Sequence, residues 1–535
     1  MTGTGSGIGP GAESGTSVGG GDATAAVIVI GAGPVGQTAA LLLARWGLPV
    51  LVLDRSPARA ATGSRSICQQ RDVLDIWSAV GAGRIAEEGL AWTTARTYYR
   101  DRELFSWTFG GQGPLPPCVN ISQSRTERIL DDAIAAQPLI EVRWDHEVTG
   151  LTQDAEGGVT VRCGERVLRA PYVLACAGAK AQPVRRALGV TFDGETFDDQ
   201  FLICDIRADL PGWEHERRFY FDPEWNPGRQ VLIHPCPGST FRIDWQVPPD
   251  YTPTEADISR KIRQIIGERD YDLLWRTTYR FHSRIASRMR AGRVLLAGDC
   301  AHLVAPFGAR GLNSGVPDAE NAAWKLAFVA HGWAPEELLE TYHIERHAAA
   351  LENLEVTGAT MRFLAPRTEG ERARRRAALE SGVPEEIDSG RFAEPYWYVD
   401  SPLTTPDPRR PFGGRPPKGA SPAPAPGVVL PDVPLPGGGR LREFCRAGIL
   451  VLLGDMCDSR LFAQVLGKVT TAPLAVREFA ALDRSGDLAE TLGVERGEVW
   501  IVRPDAHVAA ILSQAKPERV GAAVSRVLRL AKDGV

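Results

Sequence analysis

Residues 25–54 read AAVIVIGAGPVGQTAALLLARWGLPVLVLD, and this stretch decides the fold class. Val27-Ile28-Val29-Ile30 is a short apolar strand, Val35 to Trp46 is an Ala- and Leu-rich helix, and Val50-Leu51-Val52-Leu53 is a second strand. Between the first strand and the helix lies Gly31-Ala-Gly33-Pro34-Val-Gly36. A Gly-x-Gly-x-x-Gly run alone is weak. Here it leaves a strand, opens a helix, and is followed by a strand ending at Asp54, about where a ribose-binding acid belongs. Gly31 allows a tight turn, Gly33 lets the backbone approach a pyrophosphate, and Gly36 lets helix and strand pack closely. The helix start adds unpaired N–H groups and a partial positive charge. A Gly-rich turn in an unrelated α/β fold is the bland alternative. The complete strand–loop–helix–strand–Asp context favours dinucleotide binding, with Arg55 beside Asp54 as a further contact.

Working outward, the next chemistry-bearing stretch is Arg293-Val-Leu-Leu-Ala-Gly298-Asp299-Cys-Ala-His302. Arg293 to Ala297 reads as a strand that ends in Gly-Asp before a loop and helix. Such a carboxylate can reach a polyol chain, so Asp299 is a candidate for the ribityl hydroxyls of a flavin, which separates FAD from NAD. A helix-capping Asp is the alternative.

Around these motifs, helical and loop segments mix between Arg65 and Ala136. Strands surround the Gly157-Gly158 turn, and Tyr172 to Ala175 is another strand. Phe201 to Val247 is rich in β-branched and aromatic residues and reads as an antiparallel sheet. Pro317 to His331 and Leu338 to Leu364 read as helices. Pro402 to Pro436 is crowded with Pro and Gly, the composition of a semi-rigid spacer. The expected organisation is a disordered tail at 1–23, an α/β Rossmann-type cofactor domain at 24–190 and 282–400, an α+β antiparallel-sheet substrate domain at 191–281, a linker at 401–436 and a small C-terminal α/β domain at 437–535.

Composition narrows the function classes. The formal net charge of the 535 residues is -5, with no Lys/Arg block, so nucleic acid and anionic membranes are not expected partners. No apolar run is long enough to span a bilayer. The Gly- and Ser-rich start lacks the charged and apolar regions of a secretory signal. Nine scattered cysteines include no Cys-x-x-Cys and no zinc-like Cys/His spacing, which fits reduced thiols in a cytoplasm and no metal centre.

At this point the chain resembles the class A flavoprotein monooxygenases, the FAD-dependent phenol and aromatic hydroxylases, and within them the 3-(3-hydroxyphenyl)propionate or pentachlorophenol hydroxylase-like branch. The resemblance runs from about Ala25 to Pro366. It rests on Ser64-Arg65-Ser66-Ile67-Cys68 with Gln69-Gln70-Arg71, on Gln123 to Leu130, and above all on GDCAHLVAPFGARGLNSGVPDAENAAWKL at 298–326. It implies that Arg65 and Gln123 contact FAD, that Asp299 holds the ribityl chain, and that Pro306 and the loop through Gly311, Leu312 and Asn313 lie against the flavin ring. The helix after that loop would aim its positive end at the pyrimidine side. The implied chemistry is reduction of FAD by NADPH or NADH, reaction with O2 to a C4a-hydroperoxide, and transfer of OH to a phenolic or polycyclic aromatic ring.

One departure stands out. Where the family carries an Asp-Gly motif that helps bind FAD and the reduced nicotinamide, this chain reads Cys176-Ala177-Gly178-Ala179-Lys180-Ala181. Ala177 cannot accept the hydrogen bonds of that Asp, and Lys180 is either a phosphate contact or a solvated side chain. A Baeyer–Villiger monooxygenase, a flavin oxidase needing no nicotinamide, and a non-catalytic flavin-binding homologue therefore stay open. A flavin-dependent halogenase lacks its Gly-Trp-x-Trp-x-Ile-Pro segment. For the substrate, His234, Arg242, Asp244 and Trp245 are candidates on the sheet, with burial or an ion pair as the plainer reading of each; no catalytic base is assigned. His302 is either a second-layer residue beside Asp299 or a cap. The C-terminal region resembles the thioredoxin-like appendage of the same hydroxylases through Val499-Trp-Ile-Val-Arg503-Pro504-Asp505. Its Cys457 has no resolving thiol three positions on, so the unit reads as structural, and a homodimer is one use for it.

Overall fold

Short, wholly apolar strands must be covered on both faces, and that requirement builds the first sheet. Its order is Arg290–Ala291, Val294–Leu296, Tyr172–Ala175, Val27–Ile30, Val50–Leu53 and Ile140–Arg143, parallel from the second strand onward. All residues of Val27–Ile30, Val50–Leu53 and Tyr172–Ala175 are buried, as in a parallel sheet sandwiched by helices. The helix Pro34–Arg45 lies on one face, with Pro34 in its first turn where no N–H is needed. The computed structural model describes residues 25–530 apart from 61–62, 64, 109–112, 155–156 and 418–419. The expected tail at 1–23 and Ser64 of the Ser-Arg-Ser segment lie outside the described residues.

The second sheet has eight strands, in the order His302–Leu303, Tyr271–Ala286, Phe192–Ala208, Thr240–Val247, Gln230–Cys236, Glu216–Phe221, Thr94–Tyr99 and Arg102–Thr108. Side chains alternate across it. One face carries Leu202, Cys204, Val231, Ile233, Ile243 and Trp245 against Ile258, Ile262 and Ile266 of the helix Glu255–Ile266. The other carries Phe201, Phe219, Phe221, Leu232 and Phe281, which cluster with Phe307 of the 306–313 loop. The sheet extends beyond 191–281 and takes its last two strands from 94–108, where the sequence reading expects helix and loop. The alternation there is broken by a turn with Arg100 at φ 57°, which hides the hairpin.

The C-terminal sheet has the order Leu474–Glu478, Ile449–Leu453, Glu498–Val502, Val508–Ser513, with the first pair parallel and the others antiparallel. The described residues of 402–436 form no helix or strand, yet they are not a free spacer. Leu403, Val428 and Leu430 are buried, and the N–H groups of Thr405, Gly427 and Leu430 donate to the carbonyls of Ala509, Val508 and Ala506. A Pro-rich strap thus satisfies the sheet edge that it crosses.

Buried ions join this unit to the rest. Glu345 accepts from Lys325 at 2.6 Å, from Arg503 at 2.6 and 2.9 Å and from Ser401 at 2.6 Å, and Arg503 also donates to Asp505 at 2.6 Å. The four charged side chains are at most 1% exposed. A second set joins Arg446 to Asp75 and Glu320, and Arg442 to Asp72.

Candidate functional site

The Gly-rich turn, Asp54, Cys176 to Gly178 and Gly298-Asp299 all lie at the carboxyl ends of the parallel strands, the edge where open α/β sheets bind ligands. Close packing brings them together. Gly31 has φ 104°, and a Cβ there would overlap the Cys176 carbonyl oxygen; one on Gly36 would overlap the Gly31 carbonyl oxygen. Val35 wedges against Gly298 and Gly315, so the start of the first helix fits into the long helix Arg310–Ala330. Gly33 and Gly311, in contrast, have among the described residues no atom beyond their own stretch of chain within 4 Å of the place where a Cβ would stand. Space beside these backbones is what a closely approaching cofactor needs.

Asp54 accepts from Ala32 N–H at 2.7 Å through Oδ2 and from Ser56 N–H at 2.8 Å through Oδ1. Each oxygen keeps a lone pair for a ribose hydroxyl. Arg55 beside it is exposed. Arg59, which sequence reasoning missed, donates to the Ala32 carbonyl at 2.5 Å while Asp131 grips it at 2.8 and 2.6 Å. Gln37 donates to the same Asp131 at 2.6 Å. No sequence signal ties Asp131 to a loop a hundred residues earlier.

Asp299 opens onto the crevice although protein surrounds it, and among the described residues its carboxylate has no hydrogen-bond partner. Burial pushes this carboxyl above its ordinary value, against the pull of His302 and Arg65. An unpartnered carboxylate aimed at open space fits a polyol. The turn that presents it is held from behind. Asp318, on the long helix, accepts from Gly298 N–H at 2.9 Å, from His302 Nε2 at 2.7 Å and from Arg346 at 2.6 Å. Against the upward push of burial, Arg346, His302 and the Gly298 N–H hold Asp318 down to about 2. His302 is thus a positioning residue beside Asp299 and not a cap.

The remaining expected contacts divide between surface and interior. Ser66 N–H donates to Gln123 Oε1 at 3.1 Å, which joins the Arg65 segment to the helix Gln123–Ala135. Arg65 and Pro306 are exposed, and Leu312 is half-buried. Asn313 is buried and acts on protein, not into the crevice: it donates to the Cys68 carbonyl at 2.9 Å and accepts from Gln70 N–H at 3.0 Å. It therefore pins the start of the long helix to the strand Cys68–Gln70. Ala309, in the left-handed conformation, delivers that start. Lys180 is exposed.

On the sheet, the proposed substrate residues divide. Trp245 is corrected: strand alternation turns it to the opposite face, against the helix Glu255–Ile266. Arg242 faces the crevice side but is bound to Asp205 at 2.7 and 2.8 Å and to the Arg65 carbonyl at 3.2 Å, so the ion-pair reading holds for it. His234 and Asp244 share that face, together with Arg217, which sequence reasoning did not single out. Among the described residues no group of His, Cys, Asp and Glu could hold a metal, and no helix is long and apolar enough to cross a membrane.

These features were compared with known proteins. Over 355 residues the chain is 29% identical to a 3-(3-hydroxy-phenyl)propionate/3-hydroxycinnamic acid hydroxylase of Mycolicibacterium gilvum, covering 64% of this chain and 60% of that protein. It is 34% identical to a flavin-dependent monooxygenase of Mycobacteroides abscessus over 344 residues, 61% of this chain and 71% of the relative. The match thus spans about three fifths of the length of the propionate hydroxylase. Among solved structures, the flavin-dependent monooxygenase PieE, in complex with FAD and substrate, superposes with a TM-score of 0.82 at 24% identity over 95% of this chain and 100% of its own. Aklavinone-11 hydroxylase, in a ternary complex with FAD and aklavinone, gives 0.75 at 23% identity over 95% of this chain and 99% of its own. The family model described as FAD binding domain matches residues 24–357, more than half of the chain. The protein therefore belongs to the FAD binding domain family, that of the flavoprotein aromatic hydroxylases which its motifs resemble.

Proposed function

We propose that the protein is an FAD-dependent monooxygenase that uses O2 and electrons from NADPH or NADH to hydroxylate a phenolic or polycyclic aromatic compound. One observation carries the reading: the Asp299 carboxylate, unpartnered among the described residues, and the open backbones of Gly33 and Gly311 stand at the carboxyl ends of the parallel strands, beside a loop whose Phe307 packs on Phe201, Phe219 and Phe281 of the large sheet. The hydroxylase names of the relatives support it. FAD, when bound, supplies the redox chemistry with O2. Gly31, Gly33, Pro34 and Gly36 would hold its pyrophosphate, Asp54 with Arg55 its ribose, Arg65 and Gln123 its flanks and Asp299 its ribityl chain. Pro306, Gly311 and Leu312 would border its ring, on a loop that Asn313 anchors. The packed aromatic cluster of Phe201, Phe219, Phe281 and Phe307 would exclude water from that side of the site.

Ala177 supports a second reading, in which electrons do not come from a nicotinamide. The C-terminal unit is read as thioredoxin-like, an assignment supported by its β-α-β then β-β-α order, and as a structural module suited to a homodimer. Its two cysteines, Cys445, which is buried, and Cys457, form no Cys-x-x-Cys pair, which argues against a disulfide relay. The nine described thiols are unpaired, which supports a cytoplasmic setting. The test is an anaerobic titration of FAD-loaded protein with NADPH and NADH, with and without hydroxyarenes, followed by oxygen uptake and product structure. Faster bleaching with a hydroxyarene and a ring-hydroxylated product are expected. A flavin that neither nucleotide bleaches, or an ester product, would overturn the hydroxylase reading.

A further inference from the structure

A row of polar side chains crosses the inner face of the large sheet. The register pairs His234 with Arg242 and Arg242 with Asp205, and Arg217 lies one step beyond the Arg218–Ile233 pair on the next strand. Asp244 stands two residues from Arg242 on the same face, with its Oδ2 3.9 Å from His234 Nε2. Asp205 and Arg242 satisfy each other. The other three are left open. Arg217 is 4% exposed and, among the described residues, its guanidinium has no ion pair or hydrogen bond. Arg217 Nε, His234 Nδ1 and Asp244 Oδ1 are buried without a partner. Leaving three such groups unpaired costs on the order of 1–3 kcal/mol each, a penalty that a bound ligand would remove.

The row is also reached by solvent. His234 and Asp244 sit deep in the protein, yet their side chains keep 13% and 20% of their exposure. Three contacts place the row next to the segments that carry the cofactor motifs. Arg242 donates to the Arg65 carbonyl. Arg217 lies 5.4 Å from the centre of the Phe219 ring and 5.6 Å from that of Phe392. Phe392 packs with Cys68 and with Ala309 at the start of the long helix.

We propose that Arg217, His234 and Asp244 are the hydroxyl-recognition end of the substrate cavity: Asp244 takes the proton from a phenolic hydroxyl and Arg217 holds the oxyanion that results. This rests on the hydroxylase reading above and supplies it with a proton acceptor. The O–H bond of the substrate breaks, the proton becomes the carboxyl proton of Asp244, and the electron pair stays on the phenolate oxygen, so charge balances. A phenolate directs more electron density into its ring than a phenol does, which favours electrophilic oxygen transfer. The surroundings suit the task. Burial pushes Asp244 up to about 7, with Arg242 and Arg217 pulling down and Asp205 pushing up. Burial, then Arg217 and Arg242, hold His234 well below the ordinary histidine value, so it is neutral and serves as a hydrogen-bonding orienter. Burial lowers Arg217 only to about 10, so it stays cationic at neutral pH. Cys68, Cys118 and Cys236 are the other titratable groups that face this end. A carboxyl with an acidity near the working pH is effective in both directions of proton transfer.

The test uses FAD-loaded protein and a panel of one- to four-ring hydroxyarenes, each paired with its methyl ether. Binding and ionisation are read from difference absorbance, without turnover. At least one hydroxyarene should bind as its phenolate below its own solution pKa, and about ten-fold or more tighter than its ether. Arg217→Gln should erase that preference and Arg217→Lys should keep part of it. Asp244→Asn should raise the pH midpoint of bound ionisation, with flavin absorbance as the folding check. No ionised binding by any panel member, or a preference that survives both Arg217→Gln and Asp244→Asn, would overturn the proposal. If the protein takes up no FAD, the hydroxylase reading has failed instead, a distinguishable result.

Discussion

Replacing Glu345 by Gln tests the buried junction between the C-terminal unit and the cofactor domain. Gln keeps the shape and one acceptor oxygen but removes the charge that answers both Lys325 and Arg503. The native quartet with Asp505 is neutral; the variant buries one surplus positive charge. Arg503 and Lys325 hold the Glu345 carboxyl well below the usual range against the push of burial, so it is ionised at every ordinary pH. Breaking such a buried set by removing one partner costs about 3–5 kcal/mol. Urea unfolding of FAD-loaded protein, followed by flavin fluorescence and far-ultraviolet circular dichroism together, would register this as a lower midpoint. The double variant Glu345→Gln/Lys325→Met restores neutrality and should recover at least half of the loss. A single variant that loses less than about 1 kcal/mol, or a double variant no better than the single, would refute the reasoning.

Other outcomes follow from single side chains. Asp299→Ala should weaken FAD affinity at least about ten-fold, measured by flavin fluorescence titration, because charge-assisted hydrogen bonds are lost; unchanged affinity would refute the ribityl assignment. Gly308→Ala combines a φ of 83° with a Cβ that overlaps the Arg391 carbonyl oxygen, so thermal stability and FAD affinity should both fall, and a wild-type melting curve would refute the strain argument. Asp75, against the upward push of burial, is held at about 2 by Arg446, Arg442 and Arg440, and Asp318 at about 2 by Arg346 and His302. Their folded values are depressed from 3.8, so their contribution is complete above about pH 4 and is lost as pH falls toward 2. Each contributes on the order of 2 kcal/mol. Asp75→Asn should therefore flatten the acid limb of the stability curve, and an unaltered limb would refute the assignment.

The parts of the fold that short-range pattern can carry were legible. The Gly-rich turn, the strand ending at Asp54 and the Gly298-Asp299 turn each depend on neighbours within a few residues, and they stand where the pattern put them. What failed depends on pairing across distance. Thr94–Tyr99 becomes a strand because Glu216–Phe221 lies parallel to it more than a hundred residues away. The residue type of Trp245 suits a pocket, but type does not set the face. The face it occupies follows from the register, and the register is fixed by the helix Glu255–Ile266 behind it. Asp318 and Asp131 hold the cofactor loops through helices whose sequence looks ordinary. The Pro-rich 402–436 strap carries the composition of a spacer, and only its backbone bonds to residues 506–509 reveal a packed element.

The strands Phe192–Ala208 and Tyr271–Ala286 have a mechanical consequence. At about 3.3 Å per residue, a 16-residue strand reaches roughly 50 Å, from the outer rim of the sheet to the pairing of Ile285 with His302, three residues past Asp299. A continuous hydrogen-bonded ribbon therefore crosses between the two bodies where many enzymes have a hinge. It resists jaw-like opening, because bending would break ladder bonds in both strands. Compliance is concentrated at its two register shifts, between Thr196 and Gln200 and between Asp205 and Ile206. Any ligand that enters or leaves must then go around the girder, through movement of loops and side chains at its flank.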